Sequence, residues 1–401
     1  MEDDSKKIIE NISKENIILF DKKIIMNPKV INDNNKKRNS RNPGIDLIRL
    51  IGMYGIIINH ILYHHGGIMK FSKYSKYLKI LHISSFWHNN AFILISGIVG
   101  YKSNKYSNLL YLWIEVFFYS TGIHLYFSFF QKNSIISSNI SNDCFPIIFC
   151  RYWFFTSYFG MYLFLPVINK GISILNKHEF ASVIFSTNIL FVIWKDLKNP
   201  NLDLFAMHSG NSTLWFLTHY LTGAFIGKYE IIYFGYKKYI FCIICLVLYF
   251  FLCYIYFKVY NNELYLGNSF LSKTILSLLK QMLNEKYDGI LKILLSISVC
   301  LFFLQISYNK YISKITSFFG PLVFGIYLIH ENKLIKANIL KHTFEKYSDN
   351  ITLINAMIIV SLKAFKIFII CIFIDFYRNL LFTILKIKKL CILLEGKMIK
   401  N

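Results

Sequence analysis

The stretch Arg41–Gly66, RNPGIDLIRLIGMYGIIINHILYHHG, limits the possible folds more than any other part of the chain. It is an apolar run long enough to cross a bilayer as a helix, which takes roughly 20 residues. Yet it carries Asp46, Arg49, Asn59, His60 and His64. Ionisable side chains at membrane depth are expensive, so they face a protein interior or a wet cavity and by default mark a site. On a helix, Arg49 and His60 are eleven positions apart, about 20° out of phase and ~16 Å apart along the axis. They share one stripe at different depths and are too far apart to touch. This spacing predicts a channel-shaped site.

The rest of the chain repeats the apolar pattern. Of 401 residues, 55% are hydrophobic and only 17% charged, and the mean hydropathy is +0.42. Further runs lie at His82–Tyr101, 109–130, 150–168, 180–194, 213–229, 239–257, 291–308, 316–332 and 354–377. The expected fold is an all-α, polytopic helical membrane protein with about ten transmembrane helices. Three regions are expected: a polar, disordered cytoplasmic tail at 1–42, a transmembrane domain at 43–378, and a basic cytoplasmic tail at 379–401. The first 41 residues lack a short apolar core with a small-residue cleavage site and do not read as a signal peptide.

Charge sets the expected orientation. Lys36, Lys37, Arg38 and Arg41 abut the first span and hold that end in the cytoplasm. An even number of spans returns the C-terminus to the same side, with which Arg378, Lys386, Lys388 and Lys389 agree. Lys70, Lys73, Lys76 and Lys79 fall on the outer side and run against the rule. The net charge of +23 sits in short loops and tails, where topology and anionic lipid headgroups account for it. No nucleic-acid partner is expected. Of eight cysteines, five lie within apolar segments, so they read as small apolar fillers and not as a disulfide framework. The stretch Phe270–Leu283 is amphipathic and reads as lying along the outer interface.

Several polar residues are candidates for chemistry, each with a plainer alternative. His60 is either a helix-packing histidine or a base, since imidazole takes and releases protons near neutral pH. Arg49 offers a permanent cationic fork for phosphate or carboxylate, and Asp46 one turn earlier holds it or pairs with it. His60 and His64 have the i, i+4 spacing of a helical metal pair with His65 alongside, but no further ligand stands at a supporting spacing, so no metal is expected. Glu115 is a functional carboxylate or the structural partner of Arg49 or another buried donor. Trp153 and Tyr158 belong to an interfacial aromatic belt or offer faces for sugar rings. His330, Glu331 and Asn332 close an apolar helix, either as a simple end cluster or as the edge of an outward cavity. His88, Asn89 and Asn90 read as solvated residues at the outer end of the second span. Ser96, Gly97 and Gly100 form a small-residue face that lets another helix approach closely.

Taken together, the motifs resemble the acyltransferase-3 family of integral-membrane O-acyltransferases. They are most similar to its bacterial branch acting on surface and exported polysaccharides. The resemblance rests on Arg49 and His60 with ten residues between them, FILISGIVGY at 92–101, the aromatic run Trp153–Asn169, WFLTHYLTGAFIGKY at 215–229, and Phe324-Gly325-Ile326-Tyr327-Leu328-Ile329-His330. It covers roughly residues 43–378.

The resemblance implies transfer of an acyl group, most often acetyl from acetyl-CoA, to a hydroxyl of a glycan or lipid-linked sugar, in a bacterial plasma membrane and with no bound cofactor. It implies His60 and Arg49 as catalytic residues, with Arg49, Lys102 and Lys105 toward the donor. Asp46, Glu115, Trp153, Tyr158, His330 and Glu331 would support the site or the acceptor. Many members carry arginines where this chain has Lys102 and Lys105. No hydrolase-like domain is expected after the last span. The rival readings are a secondary transporter or flippase for an anionic sugar or lipid, against which the lack of a detectable inverted repeat counts, and a non-catalytic membrane sensor or assembly partner.

Overall fold

The computed structural model describes residues 42–85, 87–131, 140–193, 203, 205–229, 235–260, 272–275, 287–347 and 351–400. The expected N-terminal tail lies outside them apart from Asn42, as does all of the Phe270–Leu283 stretch except 272–275.

All regular structure among the described residues is helical. The principal helices are α1 Pro43–Tyr63, α2 Ser75–Ser84, α3 Trp87–Gly100, α4 Tyr106–Phe130, α5 Trp153–Ile174, α6 Lys177–Asn188, α7 Thr213–Lys228, α8 Lys237–Tyr260, α9 Ile290–Gln305, α10 Lys310–Phe319, α11 Val323–His330, α12 Leu353–Ile384 and α13 Ile387–Lys400. Several starts follow from side-chain caps. Ser212 accepts from Trp215 N, Asn309 from Ile312 N and Thr352 from Asn355 N, each satisfying an amide that the helix leaves without a partner. Each of the ten apolar runs carries a helix. Among the described residues, three helices are long and apolar enough to cross a membrane: Pro43–Tyr63, the α10–α11 stretch Lys310–His330, and Leu353–Ile384.

Burial separates the inner helix from the outer one. Two thirds of the apolar window of α1 is buried (67%), against 22% for α12. An apolar helix enclosed on most sides sits inside a bundle, whereas one that leaves Leu362, Phe365 and Phe373 exposed presents them to an apolar solvent. α1 packs against α3, α9, α10, α11 and α12, so the helix that carries Asp46, Arg49 and His60 lies at the centre of the packing.

The tightest helix pair is α3 with α7. A Cβ on Gly97 would stand 2.2 Å from the Tyr220 carbonyl oxygen, and one on Gly223 would stand 2.1 Å from that of Leu94. The two backbones meet because neither residue has a side chain, as the small-residue face of the second span predicts. The expectation of a solvated outer end for that span is overturned. His88, Asn89 and Asn90 are buried, and Asn90 accepts from Trp215 Nε1 at 3.1 Å while donating to the Tyr287 carbonyl at 3.0 Å.

Candidate active site

Met53 and Ile56 complete the stripe that begins at Arg49 and ends at His60, at the i, i+4, i+7, i+11 positions of one helical face. All four line a single cavity of about 250 Å3. The opposite walls come from Asn89, Phe92 and Ser96 of α3, Trp153 and Tyr158 of α5, the Gly320–Pro321 turn, and Tyr327 of α11. The turn belongs there because Pro321 has no amide to donate and interrupts the α10–α11 ladder.

At one end of the stripe Arg49 donates from Nη1 to Asp46 Oδ1 at 3.1 Å. Asp46 is fully buried while the Arg49 side chain keeps 29% of its surface accessible. The carboxylate anchors the guanidinium at the cavity wall.

At the other end the sequence-distant His330 and Glu331 meet His60. His60 Nδ1 lies 3.1 Å from His330 Nε2 and 2.9 Å from Glu331 Oε2. His330 Nδ1 lies 2.6 Å from the Ile326 carbonyl oxygen, which can only accept. A neutral His330 therefore carries its proton on Nδ1 and presents Nε2 as a lone pair. That assigns the proton of His60 to Nδ1, between two acceptors. Nδ1 faces His330 Nε2 at 3.1 Å, and the Glu331 carboxylate stands 2.9 Å away as its charge partner. In the neutral imidazole this leaves Nε2 as the lone-pair nitrogen of a residue that lines the cavity. Lys336 Nζ holds the other Glu331 oxygen at 2.6 Å.

Around this centre Asn332 donates to the Tyr152 hydroxyl at 3.0 Å, and Tyr152 donates to the Leu328 carbonyl, also at 3.0 Å. These bonds fix the turn that follows α11. The Tyr327 hydroxyl is buried beside this centre.

The other expected site residues divide. Trp153 and Tyr158 line the cavity, and Trp153 stacks on Tyr287 with ring centroids 5.8 Å apart. Lys102 and Lys105 are exposed on the loop between α3 and α4 and do not line the cavity. Glu115 is not at the cavity either. It lies 2.8 Å from Arg378 Nη2, and Arg378 grips Asp375 with two bonds of 2.9 and 2.7 Å. Tyr119 donates to Asp375 at 2.7 Å. Glu115 is thus paired with a buried donor other than Arg49. It also corrects the use of Arg378 as a tail residue in the topology argument, because the side chain is 3% exposed within α12.

Sequence reasoning missed Asp375, Tyr327 and Lys336. Asp375 had a readable signal, since it stands three residues before Arg378 in an apolar run, the spacing of a helical ion pair. Tyr327 stood within the Phe324–His330 motif without being singled out, and Lys336 had no signal.

An all-helical chain whose innermost helix carries arginine and histidine into one internal cavity is an integral-membrane protein built around a polar site. The family is given by the sequence match: residues 42–375 match the family model of the acyltransferase domain, and the chain belongs to the acyltransferase-3 family. No curated protein and no solved structure matches the chain.

Proposed function

We propose that this membrane acyltransferase moves an acyl group, acetyl in the first instance, from acyl-CoA to a hydroxyl of a surface or exported polysaccharide or a lipid-linked sugar. In this reading about ten helices cross a bacterial plasma membrane and both termini are cytoplasmic. The donor enters from the Arg49 end of the cavity and the acceptor from the His60 end. One observation supports the reading above all: His60 Nδ1 is held between His330 and Glu331, which leaves Nε2 as a base on the same stripe as Arg49.

The steps balance. His60 Nε2 takes the proton of the acceptor hydroxyl as its oxygen bonds to the thioester carbonyl carbon. The His60 imidazolium is stabilised by the Glu331 carboxylate at 2.9 Å. The tetrahedral intermediate collapses by breaking the carbon–sulfur bond, and the departing thiolate receives the proton back from Nε2. Arg49 steadies the donor phosphates or the oxyanion, roles suited to a permanent cation with a planar fork. Asp46 holds Arg49, while Trp153 and Tyr158 offer faces to the acceptor sugar. Lys102 and Lys105 meet the donor outside the cavity.

The test is acyl transfer by the purified chain with His60→Ala beside the wild type. A general base contributes on the order of 10²–10⁴-fold, so a folded His60→Ala protein should lose at least about a hundredfold in kcat. Full activity in that variant overturns the assignment. Failure of the wild type to release free thiol from acetyl-CoA, with or without acceptor, favours a transporter or flippase.

A further inference from the structure

The three groups that fix the His60 proton have a second capability. His60 Nδ1, His330 Nε2 and Glu331 Oε2 all lie within 4.8 Å of one another on buried residues. A tetrahedral zinc ion with ligands at about 2.0–2.1 Å separates neighbouring ligand atoms by about 3.3 Å. The contacts of 3.1 and 2.9 Å at His60 therefore need to open by only a few tenths of an ångström. His330 is already prepared as a ligand. Its Nδ1–H is tied to the Ile326 carbonyl, the arrangement that orients metal-bound histidines and fixes their tautomer. Two imidazoles and one carboxylate with a fourth position open suit Zn2+. His64, the i, i+4 neighbour of His60, is not among the residues whose ligand atoms gather within 4.8 Å.

We propose that His60, His330 and Glu331 bind a Zn2+ ion and that the bound ion silences the transferase. Zinc takes the Nδ1 lone pair, so the imidazole proton moves from Nδ1 to Nε2 and none is released. The ring is still neutral, but Nε2 now carries a hydrogen and cannot accept one from a hydroxyl. The silencing rests on the proposed base role of His60; the binding does not. Lys336 opposes the ion, because its ammonium sits 2.6 Å from the other oxygen of Glu331. Removing that charge should strengthen the site.

The test uses the full-length chain in detergent, freed of metal with a chelator and titrated with ZnCl2. Bound zinc is measured by mass spectrometry after equilibrium dialysis, and acyl-CoA turnover is followed in parallel. One zinc per chain is expected. Binding weakens at least tenfold in His330→Gln and in Glu331→Gln, tightens in Lys336→Met, and is unchanged in His64→Ala. Turnover falls in proportion to occupancy and returns with chelator. Absence of stoichiometric zinc overturns the proposal, as does zinc that is lost in His64→Ala and kept in His330→Gln. Zinc held by the triad with turnover unchanged or raised overturns the silencing. If no acyl-CoA is turned over at all, the acyltransferase reading fails, while the zinc measurement still decides the site. The gain expected in Lys336→Met does not depend on the loss variants folding.

Discussion

His60 Nδ1 and His330 Nε2 meet at 3.1 Å across 270 residues of sequence. The contact joins the C-terminal part of α1 to the end of α11, and the Ile326 carbonyl sets its direction. In the proposed mechanism His330 is a positioning residue, acting on the reaction through the tautomer of His60.

Replacing Glu331 with Gln keeps the volume and removes the charge beside the His60 imidazolium. The expected outcome is a fall in kcat smaller than the roughly 10²–10⁴-fold contribution of a general base, with KM for the donor little changed. Steady-state kinetics with varied acyl-CoA separates the two parameters. A rise in KM at constant kcat would make Glu331 a binding residue instead.

Arg49→Lys preserves a positive charge and loses the planar fork. KM for acyl-CoA should rise severalfold with a smaller change in kcat. Arg49→Ala should also lower thermal stability, because Asp46 is fully buried and would lose that cationic partner. Melting temperature in detergent distinguishes the two variants, and equal KM in Arg49→Lys and wild type would remove Arg49 from donor binding.

The charge cluster between α4 and α12 should behave as structure. Arg378→Met leaves Glu115 and Asp375 buried without their guanidinium, and breaking a buried pair in this way costs about 3–5 kcal/mol. The melting temperature should drop sharply, while any chain that stays folded keeps its KM for donor. A variant with normal stability and lost turnover would reassign the cluster to catalysis.

Helix approach offers a check on the fold alone. Gly97→Ala pushes a Cβ into the Tyr220 carbonyl and must part α3 from α7, so overpacking of about 1–3 kcal/mol is expected. Gly122 lies in α4 with nothing within 4 Å of the Cβ position. Gly122→Ala should therefore stabilise the chain by up to about 1 kcal/mol through helix propensity. Thermal melts of the pair test both signs.

Much of the architecture is legible because bilayer physics writes it locally. A run of apolar residues must become a helix to satisfy its own backbone, so helices at all ten runs follow from composition and length. The Arg49–His60 stripe follows from helical periodicity. The Glu115 partner was not legible, because the sequence offered Arg49 and other buried donors on equal terms and only the packing of α4 against α12 selected Arg378. The solvated reading of His88–Asn90 failed for a related reason, since nothing local shows that Trp215 and Tyr287 close over them.

Arg41–Gly66 by itself determined that arginine and histidine share one helical face about three turns apart; that this face lines an internal cavity was decided by the packing. What His60 can do was decided only by tertiary structure. The i, i+4 spacing pointed to His64, yet the groups that touch Nδ1 are His330 and Glu331. A helix fixes the direction of its own side chains through local geometry, whereas the protonation of one ring nitrogen depends on which acceptors the rest of the chain brings within 3 Å or so of it.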